Sequence, residues 1–145
     1  MRHPATWSLW GSCLWALTWG SALASPSAPA DTRQLRCEVT YAGHTQHIVV
    51  APTQDPYPHA SVRIRNRFRF KAVQVQGADV TPRIGIYVYL ETPQQPMLIQ
   101  HVLLEPPYPA SPQHPRVDLL GVQRLYAGPL ERELIYRCFL EQAAP

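Results

Sequence analysis

From Leu35 onward the chain alternates apolar and polar residues. Leu35, Cys37, Val39 and Tyr41 are separated by Arg36, Glu38 and Thr40, the period of two expected of a strand with one buried face. Ala42-Gly43-His44 reads as a turn, and residues 46–51, with β-branched Ile48-Val49-Val50, read as the returning strand. Residues 52–60 hold Pro52, Pro56 and Pro58 and are expected to loop, because proline has no N–H to give to a ladder. Val62, Ile64, Phe68 and Phe70 then recur at every second position with Asn66 as the one break, which predicts one strand over residues 62–71. After Lys71 the apolar phase slips to Val73 and Val75, the mark of a bulge or bend.

The pattern continues in the second half. Gly77-Ala78-Asp79 turns, Ile84, Ile86, Val88 and Leu90 alternate, and residues 92–96 form a hairpin-sized loop. Met97–Leu104 is a nearly continuous apolar strand, and residues 106–115 carry five prolines in a stiff loop. Residues 119–126 read as a short strand broken at Gly121, Gly128-Pro129 as a turn, and Leu134, Tyr136, Cys138 and Leu140 as a last alternating strand. Glu131-Arg132-Glu133 is compatible with a helical turn before it. Six to seven short strands punctuated by Pro and Gly predict a small antiparallel β-sandwich of immunoglobulin-like architecture. No Trp follows Cys37, so the likeness to antibody domains is one of architecture alone.

One segment occurs twice. Gln46-His47-Ile48-Val49-Val50-Ala51-Pro52 matches Gln100-His101-Val102-Leu103-Leu104-Glu105-Pro106, and each is followed by Pro-Tyr-Pro (56–58 and 107–109). A duplication would make the sandwich two similar halves; chance matching in a proline-rich chain is the alternative.

Composition adds a compartment. Trp7 to Leu23 contains no charged residue, follows Arg2 and His3, and exits through Ala22-Leu23-Ala24. Polar start, apolar run and small-residue exit make residues 1–24 a cleavable signal peptide, with a flexible leader over 25–34 and the domain over 35–142. The run falls short of the ~20 residues that span a bilayer, so no transmembrane span is expected after cleavage. Cys13 leaves with the signal, and Cys37 and Cys138 remain as a pair. In an oxidising space that pair is expected to close one disulfide inside the sandwich, tying the first strand to the last.

Of the 13 Lys and Arg only Arg2 lies in the signal, so 12 face the 10 Asp and Glu of the mature chain. The balance suggests nothing; the distribution does. Arg63, Arg65, Arg67, Arg69 and Lys71 occupy alternate positions. On one strand they would project from one face in a row about 27 Å long. Such a row either pairs with Glu38, Glu91, Glu105 or Glu133 on neighbouring strands, with Tyr87 and Tyr89 stacked under the guanidinium planes, or binds an anionic partner: lipopolysaccharide, phospholipid headgroups, an acidic glycan or an acidic protein. Nucleic acid is disfavoured by export.

Weaker signals complete the picture. Tyr57 and Tyr108, held between prolines, are candidate loop contacts or caps on the sandwich ends. His44, His47, Met97 and His101 are the candidates for a periplasmic copper or zinc site, with Met97 and His101 expected on one strand face. No catalytic motif is present: neither G-x-S-x-G, a glycine-rich phosphate loop nor H-E-x-x-H occurs. The expectation is an exported, non-enzymatic binding or accessory module of the cell envelope, without a cofactor. A metal-binding protein and a small secreted hydrolase or inhibitor are the alternatives. All four tryptophans (Trp7, Trp10, Trp15, Trp19) precede the cleavage point. The exported protein should therefore show tyrosine emission only and an intact mass lacking residues 1–24; tryptophan fluorescence in that material would refute cleavage.

Overall fold

The computed structural model describes residues 33–109 and 115–142. The segment expected to be a signal peptide, and the expected leader up to residue 32, lie outside them. Among the described residues every regular element is a strand. They run β1 (Gln34–Tyr41), β2 (His44–Val50), β3 (Val62–Ile64), β4 (Phe68–Val75), β5 (Arg83–Leu90), β6 (Met97–Leu104), β7 (Arg116–Asp118), β8 (Gln123–Ala127) and β9 (Arg132–Glu141). The two beyond the expected number are the three-residue β3 and β7.

All ladders between these strands are antiparallel and form two sheets. One has the order β2-β1-β9, with β7 and β8 sharing the far edge of β9; the other has the order β3-β4-β5-β6. β7 and β8 act as one edge strand interrupted at 119–122. Asp118 makes the interruption by accepting from the backbone N–H groups of Leu120 and Gly121, a turn in which a side chain replaces a backbone acceptor.

The inner faces of both sheets fuse into one core. Leu35, Val39, Leu134 and Leu140 from the first sheet meet Phe68, Phe70, Ile84 and Ile86 from the second, all essentially solvent-free. Tyr41 packs edge-on to Phe68 and Tyr136 edge-on to Phe70, each pair with centroids 5.3 Å apart. The Tyr136 hydroxyl donates to Gln100 Oε1 at 2.8 Å, and burial pushes its pKa up to about 12.

Cys37 and Cys138 face each other in the β1–β9 register and are bridged in the core. The Cys138 carbonyl accepts from Leu119 N–H on the opposite side of β9. The two cysteines therefore form a non-hydrogen-bonded pair, the position where antiparallel side chains approach most closely. The bridge joins neighbours within one sheet, where an antibody-type disulfide would join the two sheets.

Three local expectations are corrected. Residues 62–71 are not one strand: β3 and β4 are a hairpin. Arg67 N–H donates to the Ile64 carbonyl at 3.0 Å, and Arg65 and Asn66 between them both have positive φ, the conformation whose twist suits a tight hairpin. β4 shows no register shift after Lys71. Val73 and Val75 are buried on its outer side because the 52–58 loop docks there, with Thr53 bridging Val75 and bringing Pro56 and Tyr57 over the sheet. No helical turn forms at 131–133; Glu131 closes the β8–β9 turn at positive φ, and β9 begins at Arg132.

The repeated segment acquires a place. β2 and β6, which carry it, are each the edge strand of their sheet. Substituting β5 for β1, β6 for β2, β8 for β3 and β9 for β4, and the reverse, turns the order of one sheet into that of the other. The registers follow the same exchange. His47 pairs with Glu38 and His101 with Tyr87, so the Cys37–Cys138 pair corresponds to the Ile86–Ala72 pair. Phe70 and Tyr136 are then equivalent residues, and they touch each other, as residues near a two-fold axis must. This is the arrangement that duplication of a four-strand unit produces.

Removing the bridge by Cys37→Ala and Cys138→Ala opens a loop of 101 residues. The stability lost should be about 4–5 kcal/mol on the chain-entropy account, read as a lower denaturant midpoint. Coincident unfolding curves for oxidised and bridge-free protein would contradict this.

Candidate functional site

Each sheet has one outer face, and the two differ in charge pairing. On the β2-β1-β9 sheet the cations are matched. Arg36 meets Glu141, Arg116 meets Glu38, Arg124 meets Glu133 and Arg137 meets Asp118, at 2.6–3.4 Å. The guanidinium carbons of Arg116 and Arg137 also stand 3.5 and 5.2 Å from the ring centroid of Phe139. These contacts shift the acids. Arg116, donating to Glu38, outweighs the effect of burial and lowers that carboxyl's pKa. Burial alone would raise Asp118, but donation from Arg137 and from the Gly121 and Leu120 N–H groups lowers it overall. Tyr126 and Arg124 both donate to Glu133 and lower it too.

The outer face of the β3-β4-β5-β6 sheet is not matched. The registers place Arg63, Arg69, Lys71 and Arg83 on it, with Tyr87, Tyr89 and His101. Arg63 sits directly opposite Arg69, a like-charge pair that costs energy unless a counter-charge lies beside it. Glu91 fills that role, 2.5 Å from Arg69 Nε and 4.0 Å from Arg63 Nε. Among the described residues, Lys71 and Arg83 have no carboxylate within ion-pair distance, including Glu105 just past the end of β6. Lys71 instead lies 5.8 Å from the centre of the Tyr87 ring, and Tyr87 stacks on His101 at 4.4 Å.

Two depressions meet at Lys71. One, of about 260 Å³, lies under Tyr57 between Lys71 and Arg83. The other, of about 340 Å³ and more open, includes Arg69, Tyr89, His59 and Ser61. Together they form a cationic trough with tyrosine walls. Its chemistry suits retention of an anion carrying some apolar surface.

The residues nominated from sequence fare unequally. Arg69, Lys71 and Tyr57 come together in the trough, with Arg63 beside it through Glu91. Arg65 and Arg67 are carried to the exposed hairpin tip, so the five-cation row is not formed. Tyr57 is 88% exposed, with its N–H held by Asp55, whereas Tyr108 packs against the core. His44 and His47 lie on opposite faces of β2. A bulge at Ile99 shifts the β5–β6 register, pairing Met97 with Leu90 on the inner phase and His101 with Tyr87 on the outer. Met97 and His101 therefore do not share a face. No group of three or more His, Cys, Asp or Glu among the described residues has metal-holding geometry. His59 and Ser61 both line the trough but make no hydrogen bond to each other. Sequence reasoning weighed Glu91, Tyr87 and Tyr89 as neighbours that would neutralise or stack under the row, but missed Arg83, which looks ordinary until the register sets it beside β4.

No protein-family model, curated protein or solved structure matches the chain. No helix among the described residues is long and apolar enough to cross a membrane, which says nothing of β-barrels.

The lowered carboxyls of Glu38, Asp118 and Glu133 give an acid-side prediction. A carboxyl with a lower pKa in the folded state contributes stability above its ordinary value, 4.5 for Glu and 3.8 for Asp. That contribution disappears as pH falls through the lowered value. The melting temperature should therefore be flat above the ordinary glutamate value and fall below it. Arg116→Gln with Arg137→Gln should reduce that acid-side fall; an unchanged slope would remove the ion pairs as its cause.

Proposed function

We propose that the protein is an exported, non-enzymatic binding module of the cell envelope, periplasmic or secreted, that holds an anionic partner on the outer face of the β3-β4-β5-β6 sheet. The supporting observation is the contrast between the two outer faces of one small domain. On one, four arginines each have a carboxylate. On the other, Glu91 serves Arg63 and Arg69, and Lys71 and Arg83 have no carboxylate partner among the described residues. Uncompensated like charge lowers stability, so a concentration of it fits a surface completed by something outside the chain.

Export is inferred from the leader pattern and is compatible with the buried Cys37–Cys138 bridge, since such bridges persist in oxidising compartments. The domain is read as immunoglobulin-like only in the broad sense of two packed antiparallel sheets with loops at the ends.

The test removes charge and leaves the framework. Arg63→Gln, Lys71→Gln and Arg83→Gln together should cut retention on a dextran sulfate column and shift elution to lower salt, with the melting temperature nearly unchanged. Arg69 stays because it holds Glu91, and exposed cations of this kind contribute only about 0–1 kcal/mol to stability. A control with Arg116→Gln and Arg124→Gln on the opposite face should elute close to wild type. Equal loss in both variants would mean net charge, not this face, controls binding.

A further inference from the structure

We infer that the depression under Tyr57 is a subsite for one ring of an acidic polysaccharide, a uronate whose carboxylate is held between Lys71 and Arg83. The inference rests on the anion-binding reading above and specifies its ligand. Four features carry it: shape, floor, wall and charge.

The shape is a recess. The 52–58 loop is tied to the edge of β4 through Thr53, whose N–H donates to the Gln74 carbonyl and whose carbonyl accepts from Gln76. Within that loop the Asp55 carboxylate accepts from Tyr57 N–H, so the acid is engaged locally and does not line the recess. Pro56 and Tyr57 are thereby suspended over the outer face of the sheet. The enclosed space, about 260 Å³, falls just below the range of drug-sized ligand sites. It suits one sugar-sized unit of a longer chain. A bilayer is flat and reaches such a recess poorly.

The floor is apolar and depends on a glycine. Val73 and Val75 are buried beneath it. Gly85 lies between them and β6, and a Cβ there would stand 3.0 Å from the Tyr87 ring. Its absence lets Tyr87 lie along its own strand and opens the space beside it. The wall is Tyr57, whose ring is exposed and offers the electron-rich face against which the C–H side of a pyranose packs. Both faces of Tyr87 are taken, by His101 and by the Lys71 ammonium, so Tyr57 is the stacking residue.

The charge selects acid over neutral sugar. Lys71 and Arg83 flank the recess, and among the described residues no carboxylate lines it. Among those residues the Arg83 guanidinium makes a single long contact, 3.4 Å, to the Thr81 carbonyl, leaving its other donors for a ligand. A chain continuing past Lys71 enters the second depression and meets Arg69 beside Tyr89. Backbone groups of β4 and β5 under the recess are spent in their ladder. They offer nothing to the main chain of an acidic peptide, the alternative occupant.

Calorimetric titration of the exported protein with tetragalacturonate, with maltotetraose as the neutral control, tests this. Tetragalacturonate should bind with a salt-sensitive affinity, and maltotetraose should give no heat. Tyr57→Ala should weaken binding about tenfold without changing the melting temperature, since that ring holds up nothing. Lys71→Gln and Arg83→Gln should each cost about tenfold as well, the loss expected for a charged hydrogen bond.

Equal affinity in Tyr57→Ala would overturn the subsite. So would binding to vesicles of phosphatidylglycerol, or to polyglutamate, in the absence of binding to tetragalacturonate. In that case the anion-binding reading stands and the glycan assignment fails. Silence toward dextran sulfate, vesicles, polyglutamate and tetragalacturonate alike would remove both.

Discussion

The pairing of β1 with β9 is the constraint on which the structure depends. It joins the two ends of the described domain over eight residue pairs, Gln34–Glu141 through Tyr41–Leu134, and it is the least local contact in the fold. Closing so long a loop is entropically expensive. The disulfide lies within this ladder, where the unfolded chain has most freedom to lose. With β1 and β9 fixed, hairpin partners β2 and β8 extend the sheet on either side, and the core side chains of both strands present one surface. The β3-β4-β5-β6 meander, built from sequence neighbours alone, packs on that surface. Its outer face is the one whose cations are not matched by acids.

Much of this was legible in the chain because alternation reports faces. The inner-phase residues of β1, β5 and β9, and of β4 as far as Phe70, were correctly separated from the outer ones, and the cysteines fell on the buried phase. Two features escaped for opposite reasons. The β3–β4 hairpin folds about Asn66, so even positions pair with even positions: Ile64 with Phe68 and Val62 with Phe70. Period two survives the reversal intact. Only Asn66, a residue that accepts positive φ, signals the turn, and Arg65 beside it conceals the signal. In β6 the opposite happens. The bulge at Ile99 breaks a parity that the apolar run Met97–Leu104 cannot display, because nearly every residue in that run is apolar. Charge positions were thus readable, while the choice of Glu91 among four candidate acids had to wait for the register.

The exchange relating the two sheets supplies an internal comparison for the trough. Equivalent positions on the outer faces can be paired through the registers. Arg137 corresponds to Lys71, Glu38 to Tyr87, Arg36 to Gly85 and Glu141 to Val75. The cation is kept at the first pair. At the others an acid becomes tyrosine or valine, and an arginine becomes glycine. Each change has a physical consequence. Replacing Glu38 and Glu141 by Tyr87 and Val75 withdraws the acids that neutralise Arg116 and Arg36 on the first sheet. Replacing Arg36 by Gly85 removes the side chain that would fill the recess. One scaffold, used twice, therefore carries a saturated face and an unsaturated one. The difference lies in a handful of outward positions that leave the core unaffected. The open space at Gly85 coincides with the positions where the second sheet carries tyrosine and valine in place of the acids of the first.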